Sequence, residues 1–468
     1  MALETVEKAP QLPLPILLAV TAMSFATLLL AIRRLDSVPG AFLLTAIWLR
    51  IISGAFYTIT FAPLIGGLSI NALLSVSVVG LGLLVLNIRT LAQRWAAPIY
   101  LLIGVIVASS VVNGSTSGAI DMLFKWGYVL VLIAATVQAM RKSGKDLVLA
   151  MVMWCYAPIF VFQMLSLVLG YGKDTEGDGG LSYIGGYNHE AAFSVMLATF
   201  GVIVSLRSRT SFIMKSALLL LAVVGILLAN YRTAIIAMLP VLAGALFVDG
   251  LSRFNRKSRA FVAVMLFPLV LLVAVFGIEA LSQRFADLAI VVLEFDRFLV
   301  PPQDYAIADT KVLSGRMFIW ANYVYGYLNG SDLKLIFGNG PNGWIGTFIK
   351  YAHNTLVSYL YELGPLGVLA LLGVWTTFLV GTLSVADPVM KARLLCAQGC
   401  FFLFNLSTMP HWLIEGIIFF SLLQGAVLYQ LSTQRRSARR ARSAYRGRHL
   451  VTADALAPRQ PLRQGLGE

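Results

Sequence analysis

Charged side chains are scarce in this chain. Only 12% of the 468 residues are Asp, Glu, Lys or Arg, whereas 58% are hydrophobic and the mean hydropathy is +0.81. This composition excludes an ordinary soluble protein, in which about a quarter of the residues are charged. We also find no nucleotide-binding glycine motif and no internal repeat of fixed period.

Cysteine and histidine are rare as well. The three cysteines, Cys155, Cys396 and Cys400, all lie in apolar runs, a placement that predicts neither a disulfide framework nor a zinc site. We therefore expect no metal and no cofactor. Only four histidines are present, so each one outside the apolar runs is a candidate for chemistry.

The hydrophobic residues predict an all-α polytopic membrane protein with about thirteen runs of the roughly 20 residues that cross a bilayer. Residues 1–278 and 355–431 contain these spans, 279–354 form one large polar loop carrying short amphipathic helices, and 432–468 form a basic tail predicted to be disordered. The predicted spans are 12–32, 39–58, 66–88, 97–113, 118–140, 147–170, 190–206, 211–229, 233–249, 260–278, 355–384, 393–409 and 411–431.

Lysine and arginine are concentrated in every second loop, and this predicts the orientation because they favour short cytoplasmic loops. The basic loops contain Arg33, Arg34, Arg89, Arg94, Arg141, Lys142, Lys145, Arg207, Arg209, Arg253, Arg256, Lys257, Arg259, Lys391 and Arg393. The polar loop and the N-terminus then lie outside, and the C-terminus is cytoplasmic. The first helix has no basic leader and no cleavage site, so we expect it to be retained. The arginine-rich tail directly follows a spanning helix, which favours the anionic inner leaflet over nucleic acid as its partner.

His353 has the most informative context of the four histidines. It lies with Asn354 where the polar loop meets the amphipathic start of an apolar helix. A histidine there has one nitrogen free to accept a proton and can act as a general base. The alternative is an interfacial residue beside a helix cap, with Asn354 as the N-cap.

Two arginines are candidates for binding an anion. Arg316 follows a Ser-Gly turn and precedes a segment rich in tryptophan and tyrosine, which is typical of a membrane interface. It can bind phosphate through its planar donors, or it can snorkel to headgroup level. Arg232 lies in a short turn between two apolar runs, where its charge needs a partner such as a diphosphate or a carboxylate of the protein.

Two further outer segments contain polar side chains. The glycine-rich loop 171–189 ends in Tyr187, Asn188 and His189, and Glu190 follows; these residues predict a lid or a sugar-binding edge, with a plain flexible connection as the alternative. At the last outer turn, His411 and Glu415 have the i, i+4 spacing of one helix face and form a candidate polar pair towards the site.

These motifs together carry a resemblance. Arg232 in NYRTA, Arg316 in SGRMFIW, the GNG turn at 338–340, and His353 with Asn354 in AHNTLVSYLYELGPLG resemble the O-antigen ligase family and the related Wzy-type O-antigen and exopolysaccharide polymerases. The similarity covers residues 180–370 approximately. Members of the family commonly have twelve helices with both termini cytoplasmic, so the thirteen spans predicted here depart from that pattern.

The resemblance implies an inverting, metal-independent glycosyl transfer from an undecaprenyl diphosphate-linked glycan to an acceptor glycan, at the periplasmic face of a bacterial inner membrane. It implies that Arg232 and Arg316 bind the diphosphate and that His353 deprotonates or orients the acceptor hydroxyl. Tyr351 and Asn354 would shape the site, with Glu362 behind them. Membrane lipids, a chain-length regulator and a flippase are the other expected partners.

Within the family, we favour a polymerase over a ligase, because the polar loop has few basic residues to bind a phosphorylated lipid A core. A lipid-linked oligosaccharide transporter is the alternative from another class. It would use the charges at Arg50, Asp121 and Lys125 within predicted spans, near the membrane midplane. The hypothesis of a purely structural scaffold does not explain the arrangement of residues from Arg316 to His353.

Overall fold

The computed structural model of the protein describes residues 9–65, 68–174, 180–251, 255, 258 and 282–456. These residues form helices and two very short antiparallel hairpins, β1 (Pro63–Ile65) with β2 (Leu68–Ser69) and β3 (Lys173–Asp174) with β4 (Leu181–Ser182). The helices are α1 (Leu14–Leu35), α2 (Val38–Ala55), α3 (Tyr57–Thr60), α4 (Ile70–Val85), α5 (Ala97–Asn113), α6 (Thr116–Ser143), α7 (Lys145–Val168), α8 (Glu190–Leu206), α9 (Phe212–Leu228), α10 (Arg232–Ala243, continued by a π-helix at Gly244–Gly250), α11 (Ser282–Leu293), α12 (Arg316–Leu328), α13 (Asp332–Phe337), α14 (Thr355–Leu383), α15 (Pro388–Asn405) and α16 (Ile414–Leu456).

Among the described residues, eight helices are long and apolar enough to cross a membrane. They are Leu14–Leu35, Val38–Ala55, Arg94–Asn113, Thr116–Ser143, Lys145–Val168, Arg232–Gly250, Thr355–Leu383 and Ile414–Ala438. Three shorter apolar helices, α4, α8 and α9, coincide with further predicted spans. The chain is therefore an all-α polytopic membrane protein, as predicted. The predicted span 260–278 lies outside the described residues, and the count of thirteen stays a prediction.

Local sequence explains where several of these helices begin. Ser37, Ser211 and Asp387 each precede an apolar run, and the side chain of each accepts a hydrogen bond from a backbone N–H of the following turn. Such caps satisfy donors that have no partner inside the helix. In a bilayer they are needed all the more, because lipid offers no hydrogen bonds.

α8 is the central helix of the bundle. It is buried along its whole length and packs against α7, α9, α10, α15 and α16. A helix that is apolar on every side has to lie inside a protein or a membrane. Its N-terminus therefore places His189 and Glu190 close to the centre of one end of the bundle.

The loops that the sequence marks as basic meet at the other end, here called the basic end. The Lys145 ammonium donates to the Leu206 carbonyl at 3.1 Å and to the Ser208 hydroxyl at 2.8 Å, and Ser143 donates to the Leu35 carbonyl. Lys215 lies 2.7 Å from Asp249, which also pairs with Arg393. Within the described residues, the loops that the sequence marks as basic thus lie together at one end of the structure.

The remaining loops meet at the opposite end, here called the site end. Ser182 donates to the Ala229 carbonyl, and Ser109 donates to the Phe337 carbonyl. The Tyr57 hydroxyl donates to the Ala9 carbonyl, so the described N-terminal residues also lie here. Residues 9–13 and the polar loop therefore share one end of the bundle, in agreement with an N-terminus on the same side as that loop.

The C-terminal segment differs from the expectation of disorder from residue 432. Helix α16 continues as far as Leu456, well beyond the apolar part that ends near Ala438. Alanine, arginine and leucine make up most of this continuation, and all three have high helix propensity. The residues after Leu456 lie outside the described part of the chain.

The two ends of the bundle give a test of orientation. We expect Lys311→Cys at the site end to react with a membrane-impermeant maleimide added outside spheroplasts, and Arg209→Cys at the basic end to react only after the membrane is opened, because lysine and arginine favour cytoplasmic loops. Both side chains are exposed. The unsubstituted chain gives the background from its native cysteines, of which Cys155 and Cys400 are buried. The reverse labelling pattern would contradict an outward site end.

Candidate active site

A cavity of about 290 Å³ lies at the site end. Its walls come from α2, the loop after α3, the loop before α8, the polar loop, and the turn between α15 and α16. The lining includes Tyr187, Asn188, His189 and Tyr351 from the predicted site. A space of this size, mostly apolar with a few polar groups, is typical of a small-molecule site.

His353 lies next to this cavity, behind the ring of Tyr351. The two ring centroids are 3.9 Å apart and the planes are inclined by 34°. His353 has a left-handed backbone, with φ of 53°, which histidine adopts more readily than most residues but at some cost. Asn354 is the N-cap of α14, as the alternative interpretation predicted, and its side-chain oxygen accepts from the N–H groups of Leu356 and Val357 at 2.9 and 3.3 Å.

The backbone just before His353 is fixed by aromatic side chains of α12. Trp320 Nε1 donates to the Ala352 carbonyl at 2.8 Å, and the Tyr323 hydroxyl donates to the Lys350 carbonyl at 3.1 Å. Tyr323 is 1% exposed. These rings therefore belong to the packed interior of the polar loop, whereas the sequence had suggested a place among lipid headgroups.

Arg316 is the first residue of α12 and shares a face with Trp320, four residues later. Its Nη2 lies 3.4 Å from the Thr233 hydroxyl, in the first turn of α10. Helix α10 begins with the half-buried Arg232. Two helices thus begin with an arginine and bring their N-terminal ends together, and helix N-termini carry partial positive charge.

The electrostatics of His353 reflect this arrangement. Burial lowers the pKa of His353 to about 3, and the positive charge of Arg316 acts in the same direction, followed by His189 and Lys350. Burial raises the pKa of Tyr231, and the positive charge of Arg316 offsets part of that rise. His353 is therefore a neutral imidazole at physiological pH, with a nitrogen that can accept a proton.

The loop before α8 contributes one wall of the cavity. The Tyr187 hydroxyl donates to the Ile51 carbonyl at 2.6 Å, and its ring meets Phe193 edge-on. His189 is the N-cap of α8, because its Nδ1 accepts from the Ala191 N–H at 3.0 Å. Glu190 pairs with Lys173 at 2.9 Å. The loop thus lines the cavity and its glutamate is already paired, while its role as a sugar-binding edge stays a prediction.

Glu362 lies apart from the cavity lining. It is fully buried in α14, where it accepts from the Ser358 hydroxyl at 2.5 Å and from the Asn342 backbone N–H at 2.7 Å. Its carbonyl accepts from the Gly340 N–H and the Ser109 hydroxyl. Glu362 therefore connects the GNGPNG turn to α14.

His411 also differs from the expectation. It lies in a 3-10 turn, Pro410–Trp412, before α16 begins, so it does not share a helix face with Glu415. Its Nε2 accepts from Trp375 at 3.0 Å, and its ring stacks on Trp126 with centroids 5.1 Å apart. His411 is 4% exposed and is part of an aromatic cluster behind the cavity.

Glu415 pairs with Arg50, and this pair was missed as part of the site. Arg50 Nε and Nη2 donate to the two carboxylate oxygens at 2.9 and 3.0 Å, and both residues line the cavity. Arg50 interrupts a predicted span, so its charge was visible in the sequence. Its partner lies 365 positions away, a separation at which spacing gives no signal.

The charges considered for a transporter are close to the site end. Asp121 and Lys125 lie in the first turns of α6, 2.8 Å apart, and Lys125 lies over the ring of Trp412 at 4.6 Å. Arg50 is five residues from the end of α2, about 8 Å along the axis. Within the described ranges, no cluster of His, Cys, Asp and Glu has the form of a metal site.

Comparison with known families gives one match. Residues 217–372 match the family model described as O-antigen ligase. The matched stretch starts within α9 and ends within α14, so it includes Arg232, Arg316 and His353. No curated protein matches the chain.

The pairing of Arg316 with His353 can be tested through the pKa. We expect Arg316→Gln to raise the pKa of His353, because it removes a nearby positive charge, while burial keeps that pKa below 6.5. Histidine side-chain chemical shifts followed against pH measure it, with His353→Ala identifying the signal. Arg209→Gln, at the basic end, is the matched control and should leave the pKa unchanged. An unchanged or lower pKa in Arg316→Gln would show that the two side chains are not coupled.

Proposed function

We propose that this chain, whose residues 217–372 match the O-antigen ligase family model, polymerises oligosaccharide repeat units carried on undecaprenyl diphosphate. The reaction takes place at the periplasmic face of a bacterial inner membrane. The observation that supports this proposal most directly is the meeting of Arg316 and the N-terminus of α10 beside a half-buried, neutral His353.

The donor diphosphate binds at the two helix N-termini. Arg316 and Arg232 supply full positive charges, and the first turns of α12 and α10 supply backbone N–H groups and the positive ends of their dipoles. Arginine suits this role because its planar donors bind phosphate oxygens in pairs. The diphosphate is the leaving group, so the same charges stabilise the negative charge that develops on it as the glycosidic bond breaks.

The acceptor hydroxyl is activated by His353. One imidazole nitrogen accepts the hydroxyl proton as the acceptor oxygen forms its bond to the anomeric carbon and the bond from that carbon to the diphosphate oxygen breaks. Attack from the face opposite the leaving group inverts the anomeric centre. The proton then passes from the imidazolium to solvent, and the polyprenyl diphosphate leaves the site.

Donor binding makes His353 a stronger base. Burial lowers the pKa of His353, and the charge of Arg316 lowers it further. A bound diphosphate neutralises that charge and adds negative charge of its own, so the pKa rises towards the working pH, where a general base is most effective. The base is thus fully competent only when a leaving group is present.

The polar loop supports a polymerase over a ligase. Apart from Arg316 and Lys350, which act on His353, its described cations lie elsewhere: Arg297 is paired with Asp309 and Glu294, and Lys311 and Lys334 lie outside the cavity lining. A ligase acceptor carries phosphates, and these would need several further cations at the site. The acceptor proposed here is a second lipid-linked glycan, with a flippase and a chain-length regulator as partners of the pathway.

The first test removes the proposed base and the proposed anion ligand. We expect His353→Ala to lower glycan transfer by about 10²- to 10⁴-fold, the usual contribution of a general base, and Arg316→Ala to lower it by about 10²- to 10³-fold. Polymer length is measured on gels from cells and with purified protein. Arg209→Ala is the matched arginine control and should keep full activity. Normal polymer in either site variant, at equal protein level, would refute the assigned roles.

The second test separates polymerase from ligase and transporter. Purified protein is incubated with a polyprenyl diphosphate oligosaccharide as the sole substrate. A polymerase joins repeat units and gives a ladder of products, because each donor also supplies an acceptor hydroxyl. A ligase gives product only when lipid A core is added, and a transporter gives none, so either result would replace the polymerase assignment.

A further inference from the structure

The cavity next to His353 has aromatic walls. Phe61, Tyr187, Trp344, Tyr351 and Trp412 line it, and they come from separate parts of the chain. Aromatic faces bind the apolar C–H faces of sugar rings, while a few polar groups select their hydroxyls. With a volume of about 290 Å³, the cavity is far larger than the roughly 15 Å³ that one water needs.

The charges that line this cavity cancel. Besides the imidazole of His189, Arg50 and Glu415 are the charged side chains in its lining among the described residues, and they are 8% and 1% exposed. Both oxygens of Glu415 accept from Arg50. The third guanidinium nitrogen of Arg50 bonds to Asn71, and its face lies 5.3 Å from the ring centroid of Phe61. The pair therefore presents no net charge to a ligand.

We propose that this cavity is a subsite for an uncharged sugar residue and that the Arg50–Glu415 pair excludes acidic sugars from it. This inference rests on the proposed function and names the class of glycan that the same site accepts. A uronic acid in the cavity would bring its carboxylate close to that of Glu415, which is 1% exposed. To bind Arg50 it would have to displace Glu415, leaving one carboxylate buried without a partner, which is costly.

The position of the cavity connects it to the reaction. Tyr351 lines the cavity, and its ring also packs against that of His353. His189 and Thr408 line the cavity as well. A sugar bound against these residues has its hydroxyls near the imidazole. The subsite thus selects the sugar whose hydroxyl attacks. Its specificity arises as much from repulsion of acidic sugars as from attraction of uncharged ones.

The test measures binding of free sugars to the full-length protein in lipid nanodiscs. The probes are methyl glycosides of neutral hexoses and the corresponding methyl glycosides of uronic acids, followed by saturation-transfer NMR. We expect wild-type protein to bind at least one neutral glycoside about tenfold more tightly than its uronate counterpart, a difference of about 1.4 kcal/mol. Equal or tighter binding of the uronate, or no binding of any neutral glycoside, would overturn the proposal.

Two substitutions locate the selectivity. Glu415→Gln keeps the size of the side chain and uncovers the charge of Arg50, so it should bring uronate binding to at least the level of the neutral glycoside. Glu294→Gln removes a glutamate that pairs with Arg297 outside the cavity and should leave the preference unchanged. If Glu415→Gln folds and still rejects uronates, the pair is not the selectivity element and the proposal fails.

A second pair of variants covers the case in which Glu415→Gln does not fold. Phe61 lies in the loop after α3 and is half-buried, so substitutions there spare the helix bundle. Phe61→Ala should lower neutral glycoside binding severalfold, and Phe61→Trp should retain it because the aromatic face remains. Equal binding by all three proteins would show that sugars do not enter this cavity.

The outcomes separate this inference from the proposed function. Glycan transfer by a protein that binds no free neutral sugar in the cavity would overturn the subsite and leave the enzyme assignment in place. Neutral sugar binding with the expected selectivity, in a protein that makes no product from any lipid-linked donor, would support the subsite and overturn the polymerase.

Discussion

The two hydrogen bonds from α12 to the backbone before His353 determine the geometry of the candidate site. Trp320 and Tyr323 fix residues 350–352 from one side, and Asn354 caps α14 on the other. Between these anchors, His353 adopts a left-handed backbone, a conformation that persists only when its surroundings impose it. Because Arg316 begins the same helix that carries Trp320, the imidazole and the guanidinium belong to one rigid unit.

This unit gives Arg316 two roles in the proposed reaction: it binds the donor diphosphate and it acts on the pKa of His353. Burial is the larger cause of the low pKa of His353, and the charge of Arg316 lowers that pKa further. In the proposed reaction, a bound donor diphosphate would neutralise the charge of Arg316 and so remove its part of the effect. The proposed arrangement therefore favours proton transfer from an acceptor when a donor is bound.

The sequence predicted those features that depend on local pattern. Apolar runs indicated the helices, and the SGRMFIW and AHNTLV motifs indicated Arg316 and His353 as neighbours of the same outer face. The structure brings their segments together as expected. Other features depend on contacts between distant residues: Glu415 was assigned to a helix face with His411, whereas it pairs with Arg50 on α2. The aromatic residues of α12 were read as interfacial, because composition alone cannot distinguish rings that face lipid from rings that pack against a loop backbone.

The Arg50–Glu415 pair is difficult to explain by stability alone. Removing two charges from water costs several kcal/mol per ion in a real protein, and well-packed apolar residues of similar size often replace such a pair at no loss. The rest of α2 and residues 416–434 of α16 contain no other charged side chain, so the two helices could pack without charge at this point. A buried pair is better explained by what it does to a ligand: it lines the cavity with polar groups that can orient hydroxyls, while one charge masks the other from an acidic sugar. In the proposed reaction, the pairing of Arg50 with Glu415 also prevents Arg50 from competing with Arg316 for the donor diphosphate, which leaves the cavity to the acceptor sugar.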